Sequence, residues 1–165
     1  MDILVFSDSH GKGEYIDAIL RRQVRLPDVI FFLGDGLRDL AWQNFGGIPV
    51  YRVKGNCDFF GADTTDDELL TELGGVRIFA AHGHTYSVKS GYMKMAQRAA
   101  ELGADIMLFG HTHEPLTRVL SAGESLGGTT LSRDLHIMNP GSLASGCFGT
   151  VTVRGSSILL CTAEQ

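Results

Sequence analysis

The chain has 165 residues and a mass of 17.9 kDa, which predicts one domain spanning residues 1–165 with a sizeable core. A formal net charge of -5 and a pI near 5.6 give no basic surface signal, so a dedicated nucleic-acid-binding protein is disfavoured. The three cysteines are widely separated, which indicates neither a zinc ribbon nor a disulfide framework. No apolar run reaches ~18 residues and no signal peptide is evident. We therefore expect a reduced, cytoplasmic protein without a membrane span.

The first third of the chain alternates strand and helix patterns. Short apolar runs predict buried strands at residues 3–6, 29–33 and 50–53. Apolar residues at helical spacing predict helices at residues 14–24 and 37–45. Pro27 ends the first helix, because proline cannot supply a helical hydrogen bond. A strand–helix alternation of this kind is typical of a parallel sheet with helices outside it.

The middle of the chain predicts a hairpin, a helix and another buried strand. Residues 68–73 and 76–81 flank two glycines, a signal for a tight turn, and residues 59–68 before them form an acidic loop. Ser87 is the predicted N-cap of a helix that runs through Leu102, and Gly103 is its C-terminal glycine. The apolar run at residues 106–109 is the next strand.

The last third is rich in short strand candidates. They are separated by glycine-containing turns and lie at residues 116–120, 129–131, 135–138, 150–153 and 157–161. Together with the alternation before them, they predict the α/β class, with two stacked sheets and helices on the outside.

Five predicted strands end directly in a side chain that can bind a metal ion. In chain order these groups are Asp8 and His10; Asp35; Asn56; His82 and His84; His111 and His113. A single histidine or one Gly-Asp pair is ordinary structural chemistry. Five successive cases favour metal chemistry, because the carboxyl ends of parallel strands meet at one edge of a sheet.

The ligand types narrow the choice of metal. Carboxylates, imidazoles and one amide, without a thiolate, suit manganese, iron, nickel or zinc better than calcium or an iron–sulfur cluster. The groups are too many for one tetrahedral ion. Two ions about 3.5–4 Å apart would use them, with a carboxylate as bridge. Asp35 is the candidate bridge, because its strand is expected near the centre of the series.

The order of these blocks resembles the calcineurin-like metallophosphoesterase superfamily. The matching blocks are Asp-x-His at residues 8–10, Gly-Asp at 34–35, Gly-Asn-x-Asp at 55–58, His-Gly-His at 82–84 and Gly-His-x-His at 110–113. The chain length, the Gly-Asn-Cys-Asp form and the late loop at residues 139–142 are similar to the YfcE-like small phosphodiesterase branch. The resemblance implies a four-layer α/β/β/α sandwich of two stacked mixed sheets with flanking helices.

The resemblance also implies a role for each ligand. The first metal would be held by Asp8, His10 and His113, and the second by Asn56, His82 and His111, with Asp35 as the bridge. Of the two histidines in the third block, the family pattern favours His82 over His84 as the ligand. Manganese is the first candidate metal, followed by iron, nickel or zinc.

Taken together, these features predict a dinuclear phosphodiesterase that acts on a small phosphate ester. Two cations would clamp the phosphoryl group and aim a metal-bridging hydroxide in line at phosphorus, with Asp35 and Asn56 in the catalytic centre. The alternatives are a phosphomonoesterase or nucleotide pyrophosphatase on the same metals. A third is a non-catalytic protein-binding scaffold, because the superfamily includes a retromer subunit of that kind. Homo-oligomerisation is left open.

The sequence departs from the larger family at two positions. Cys57 follows Asn56 where many superfamily phosphatases carry a histidine, and a thiol is a poor general acid at neutral pH. His84 is the candidate to contact the substrate or leaving group instead, against a purely structural role. Residues 143–146 lack the Pro-Arg pair often seen in the branch, so no arginine clamp on the phosphate is indicated there. Asp58 is expected to orient a neighbouring group.

Overall fold

The computed structural model of the protein describes residues 1–59 and 65–165, so the predicted acidic loop lies partly outside the described residues. The strands are β1 Asp2–Phe6, β2 Val29–Phe32, β3 Val50–Arg52, β4 Glu68–Leu73, β5 Val76–Ala81, β6 Ile106–Leu108, β7 Leu116–Leu120, β8 Ser125–Leu126, β9 Thr129–Thr130, β10 Leu135–Asn139, β11 Cys147–Arg154 and β12 Ser157–Glu164. The α-helices are α1 Glu14–Arg22, α2 Leu37–Leu40 and α3 Met93–Glu101. Short 3₁₀ turns lie at His84–Tyr86, Val88–Ser90 and Leu143–Ser145.

Two five-stranded mixed sheets form the body of the protein. The first has the strand order β12-β11-β1-β2-β3 and the second β4-β5-β6-β10-β7. Strands β1, β2 and β3 pair in parallel, and so do β5, β6 and β10. The pairs β1–β11, β11–β12, β4–β5 and β7–β10 are antiparallel. Within each sheet the parallel strands therefore end at one edge.

Alternate side chains of the parallel strands face two different cores. In β1, Ile3 and Val5 lie in the core between the two sheets, whereas Leu4 and Phe6 pack in a separate core with Ile16 of α1. This alternation follows from the period of two in a strand, and burial on both faces explains the unbroken apolar runs.

The second sheet repeats the arrangement on its own side. Ile106 and Leu108 of β6 enter the core between the sheets, while Met107 packs with Met95 and Ala99 of α3. The order of layers is therefore α/β/β/α, and the predicted four-layer sandwich of two mixed sheets is confirmed.

Two helix predictions were too long at the C-terminal end. Helix α1 ends at Arg22 because Gln23 has an extended backbone (φ −68°, ψ 127°), and Val24 is fully exposed. Helix α2 ends at Leu40, although Phe45 still packs against the core beside α1. The two-stranded ribbon of β8 and β9 lies where only one strand was expected.

The predicted start of α3 at Ser87 was wrong. Ser87 has a left-handed backbone (φ 56°) and separates two 3₁₀ turns, and Gly91 also has a positive φ of 129°. Such conformations interrupt a helix, so α3 begins only at Met93. The chain after β5 therefore turns twice beside the end of that strand. The C-terminal prediction holds, because Gly103 (φ 67°) follows the end of α3.

Within the described residues, no helix has the length and hydropathy needed to cross a lipid bilayer.

Candidate metal centre

The loops after β1, β2, β3, β5 and β6 meet along one edge of the sandwich, here named the carboxyl rim. Within the first sheet, the Asp8 N–H donates to the Gly34 carbonyl at 2.9 Å. Between the sheets, the His111 N–H donates to Asp8 Oδ2 at 3.0 Å, across 103 positions of sequence. The structure therefore brings the predicted ligand loops of both sheets together.

Unusual backbone conformations concentrate at the carboxyl rim. Among the described residues, six that are not glycine have a positive φ, and five of these are predicted ligands: Asp8 (56°), His10 (44°), Asp35 (57°), His111 (67°) and His113 (64°). Left-handed backbone is unfavourable for such side chains and tends to be kept at functional sites.

The first group of ligand atoms lies around Asp8. Its carboxylate and the rings of His10 and His113 place one ligand atom each within 4.8 Å of one another. His113 Nε2 lies 3.2 Å and His10 Nε2 3.8 Å from Asp8 Oδ1, and the two Nε2 atoms are 3.2 Å apart. Both histidines are partly open to solvent, with 34% and 48% of their side chains exposed, so a substrate can reach this group.

The second group lies around Asp35 and is more deeply buried. Asp35, His82 and His111 place their ligand atoms within 4.8 Å of one another. His82 Nε2 lies 3.4 Å from Asp35 Oδ2 and 3.2 Å from His111 Nδ1. It also lies 3.9 Å from Asp8 Oδ1, so the two groups adjoin.

Two features of these groups fit a bound cation. Asp8 Oδ1 is buried and has no hydrogen-bond partner among the described residues, which is costly unless a cation or water meets it. His82 Nδ1 donates to the Leu33 carbonyl at 2.7 Å, since a carbonyl can only accept. Nε2 is therefore the ring nitrogen of His82 that faces the group, as in histidines that bind metals. The donor set of carboxylate oxygen and imidazole nitrogen suits borderline divalent ions.

The electrostatic environment keeps two of these side chains, Asp35 and His111, in the protonation state that binds metal. Burial works to raise the pKa of Asp35, but hydrogen bonds from His82 and the Cys57 N–H outweigh it and hold that pKa well below its usual range. Burial, together with the charges of His82 and Lys89, lowers the pKa of His111 to about 4. Asp35 is therefore a carboxylate and His111 a neutral imidazole at neutral pH.

Asn56 lies on the carboxyl rim at the edge of these groups. Its amide Nδ2 is 3.3 Å from Cys57 Sγ, and the next N–H along the chain, that of Cys57, donates to Asp35 Oδ1 at 2.7 Å. Asn56 and His84 line one cavity of about 590 Å³. The role of Asn56 as a ligand of a second metal stays a prediction.

Cys57 is closer to the centre than the sequence indicated. Its Sγ forms a third group of ligand-type atoms with His10 and Asp35, again within 4.8 Å. Burial and the hydrogen bond and charge of Asp35 raise the pKa of Cys57 to about 11, so its thiol stays protonated at neutral pH. The signal available in the sequence was only its position next to Asn56. Asp35 belongs to both the second and the third group, which suits the predicted bridge.

Asp58 holds two loops of the carboxyl rim together. Its Oδ2 accepts from the N–H groups of Asp35 at 2.8 Å and Gly55 at 2.9 Å. Its Oδ1 accepts from the N–H groups of Gly36 and Leu37, both at 2.9 Å. The sequence predicted an orienting role for Asp58, and its four hydrogen bonds from backbone N–H groups hold the loops after β2 and β3 in place.

His84 lies beside the second group. Its ring centroid is 5.5 Å from that of His82 and 6.2 Å from that of His111. Burial and the charge of His82 lower the pKa of His84, so its ring is neutral at neutral pH. His84 Nδ1 is buried without a hydrogen-bond partner in the described part of the chain.

The end of β10 and the loop that follows it support the first group. Asn139 Nδ2 donates to the Gly110 carbonyl at 2.9 Å and to Thr112 Oγ1 at 3.0 Å. Ser142 Oγ donates to the Asp8 carbonyl at 2.9 Å. Gly110 is needed here because a Cβ at this position would lie 1.9 Å from Ser7 Oγ.

An α/β/β/α sandwich with carboxylates and imidazoles gathered at the ends of its parallel strands is the arrangement that the resemblance to the metallophosphoesterases implied. The sequence matches the calcineurin-like phosphoesterase superfamily domain over residues 1–162, and the chain belongs to that family. The resemblance seen in the sequence is thereby confirmed.

Relatives and solved structures agree with this assignment. The probable metallophosphoesterase YsnB of Bacillus subtilis (strain 168) is 35% identical over 143 residues, covering 87% of this chain and 75% of that protein. The solved structure of a conserved predicted phosphoesterase from Streptococcus pneumoniae TIGR4 is 28% identical, with a TM-score of 0.76, and the match covers 99% of this chain and 88% of that one.

Two more distant structures share the fold alone. Vps29 of Chaetomium thermophilum has a TM-score of 0.71 at 18% identity, with 97% of this chain and 85% of that chain covered. A solved archaeal phosphodiesterase has a TM-score of 0.66 at 18% identity, with 99% and 100% covered.

Proposed function

We propose that this protein is a metal-dependent phosphodiesterase that binds two divalent cations and hydrolyses a small phosphate ester. The observation that carries the proposal is the buried Asp8 Oδ1, which lacks a hydrogen-bond partner in the described residues while His113, His10 and His82 place ring nitrogens 3.2 to 3.9 Å from it. A cation there would satisfy the oxygen and separate the imidazoles.

The ligand sets follow the two groups on the carboxyl rim. The first cation would be held by Asp8, His10 and His113, and the second by Asn56, His82 and His111, with Asp35 between them. When bound, such a pair of cations supplies positive charge for the phosphoryl oxygens and an acidified water as nucleophile. Manganese is the first candidate, with iron, nickel and zinc as the alternatives.

The chain's own residues prepare the site for this chemistry. Asp35 stays ionised and His111 stays neutral, so neither needs to lose a proton before binding a cation at neutral pH. His84 is neutral as well, so it would contact a phosphoryl or leaving-group oxygen as a hydrogen-bond donor rather than as a strong acid.

A diester is favoured over a monoester by the space beside the site. A cavity of about 260 Å³ adjoins His10, Asp35 and Cys57, and another of about 590 Å³ adjoins Asn56 and His84. A phosphodiester carries two substituents, and each can occupy one cavity. A panel of phosphate monoesters, diesters and nucleotide pyrophosphates would separate this reading from the two enzymatic alternatives.

Mutation of the ligands tests the site. We expect His111→Ala and Asp35→Asn each to abolish manganese-dependent hydrolysis of bis-p-nitrophenyl phosphate while the far-UV circular dichroism spectrum is kept. His136→Ala is the matched control, because His136 lies within β10 and outside the three ligand groups. Unchanged turnover in either ligand variant would refute the proposed site.

Metal analysis separates the enzyme from a scaffold of the same fold. After reconstitution with manganese and removal of free ions, the wild-type protein should retain two equivalents of metal and hydrolyse the diester. A protein that retains no metal and turns over no phosphate ester is a binding module instead.

A further inference from the structure

Phe59 has a large apolar side chain that does not pack in the protein core. It is 77% exposed, although phenylalanine is among the residues most often buried. Eight of the nine phenylalanines lie in the described residues, and the other seven all pack into the core clusters: Phe6, Phe31, Phe32, Phe45, Phe79, Phe109 and Phe148. Packing of the fold therefore does not explain the position of the Phe59 ring.

Phe59 lies between the two cavities beside the candidate metal centre. It lines the cavity of about 260 Å³ together with His10 and Asp35, and also the cavity of about 590 Å³ together with Asn56 and His84. A phosphoryl group held at the carboxyl rim would thus have the exposed ring within reach of its substituents.

The residue before Phe59 is anchored at the carboxyl rim. The residue immediately before it, Asp58, is only 9% exposed, and its carboxylate accepts four backbone N–H bonds from the loops after β2 and β3. The chain is therefore anchored on the N-terminal side of Phe59, which reduces the entropy lost when a ligand packs on the ring.

Several charges that line these cavities already have partners. Lys54 pairs with Asp67 at 3.5 Å in the larger cavity. In the smaller one, Asp39 accepts from Ser9 Oγ at 2.5 Å and from the Gly11 N–H at 2.9 Å. Such walls suit an uncharged flat group better than a further charged one.

We propose that Phe59 is a specificity-determining residue whose ring stacks on a flat aromatic substituent, an aryl group or a nucleobase, of the phosphodiester substrate. The proposal rests on the proposed function, because the phosphoryl group must sit at the carboxyl rim. The stacked ring is the substituent that stays on the phosphate, in the cavity next to His10 and Asp35, since His84 lines the other cavity and would contact the leaving group. Stacking on an aromatic side chain tolerates many ring types, because every such ring has a π-face.

The test compares two diesters with the same leaving group. Bis-p-nitrophenyl phosphate keeps an aromatic ring after hydrolysis, whereas ethyl p-nitrophenyl phosphate keeps an alkyl group. In the manganese-loaded enzyme, we expect Phe59→Ala to raise KM for the first about tenfold, with kcat within about twofold, and to leave KM for the second nearly unchanged. Phe59→Tyr should restore the wild-type KM, because it keeps the ring.

Trp42→Ala is the matched control, because Trp42 is 88% exposed and lines neither cavity. It should leave both KM values unchanged. An unchanged KM for bis-p-nitrophenyl phosphate in Phe59→Ala, or an equal rise for both diesters, would overturn the proposal.

Binding by calorimetry keeps the test independent of turnover. Wild-type protein with manganese should bind phenyl phosphate about tenfold more tightly than ethyl phosphate, and Phe59→Ala should lose that preference. Equal affinities in the wild type, or no binding of either, would reject the stacking role. A wild type that hydrolyses neither diester but prefers phenyl phosphate would reject the proposed activity and keep the stacking role.

Discussion

Replacing Asp58 by alanine removes a carboxylate that joins the loops after β2 and β3. Four backbone N–H groups lose their acceptor: those of Asp35, Gly36, Leu37 and Gly55. The side chain of Asp58 is almost fully buried, so water reaches only part of the space it leaves. We expect both lower stability and a displaced Asp35.

The size of the effect follows from which donors are buried. The bonds from Asp35 and Gly55 are buried, while those from Gly36 and Leu37 are partly exposed and can be taken over by water. A buried donor without a partner costs about 1–3 kcal/mol, so two of them give a destabilisation of about 4 kcal/mol. For a chain of this length that lowers the melting temperature by roughly 10 °C. Asp58→Asn keeps one acceptor oxygen and should lose about half as much.

Urea denaturation followed by circular dichroism measures the loss. Asp66→Ala is the control, because Asp66 is exposed and its carboxylate makes no hydrogen bond or ion pair with the described residues. The same variants, titrated with manganese below their unfolding temperatures, should show affinity reduced about 10–100-fold in Asp58→Ala only. If Asp58→Ala unfolds at the same urea concentration as Asp66→Ala, the reasoning about these four bonds is wrong.

Two further predictions concern stability. The hydrogen bond from Tyr86 and the charge of Arg98 hold the pKa of Glu68 below its ordinary value of 4.5, against the effect of burial. The stabilisation is therefore present above that value and is lost as the pH falls through the lowered pKa. Glu68→Gln should be less stable than wild type in urea at pH 7, with a gap that narrows below about pH 4; a constant gap contradicts this. In Gly110→Ala, the new Cβ would lie 1.9 Å from Ser7 Oγ and 2.8 Å from Asp8 Oδ2. We expect a loss of about 1–3 kcal/mol and of diesterase activity, and wild-type values for both would refute the contact.

Some helix boundaries differ from those that the local sequence pattern predicted. Val24 and Phe45 stand at helical spacing in the sequence, yet α1 ends at Arg22 and α2 at Leu40. Apolar periodicity indicates which side chains tend to be buried, and Phe45 is packed in the core, whereas Val24 is exposed. It does not report whether the backbone between them stays helical. Ser87 is a similar case, because its left-handed backbone depends on the two turns that follow β5.

The strands of the two main sheets and the candidate ligands could be predicted from the sequence alone. A strand buried on both faces needs an unbroken apolar run, and a polar residue directly after it must lie at the strand end. Both are local rules, so residues such as Asp8, Asp35 and His111 could be proposed as ligands before any contact was known.

How the residues at those strand ends lie relative to one another depends on the tertiary structure. Asp35 meets His82 on one side and Cys57 on the other, and Asp8 meets the backbone of His111 across 103 positions of sequence. The exposed position of Phe59, where it lines two cavities, likewise depends on contacts between distant segments. These relations depend on strand order and on how the two sheets stack. Both are set by packing between distant segments, and no local pattern encodes them.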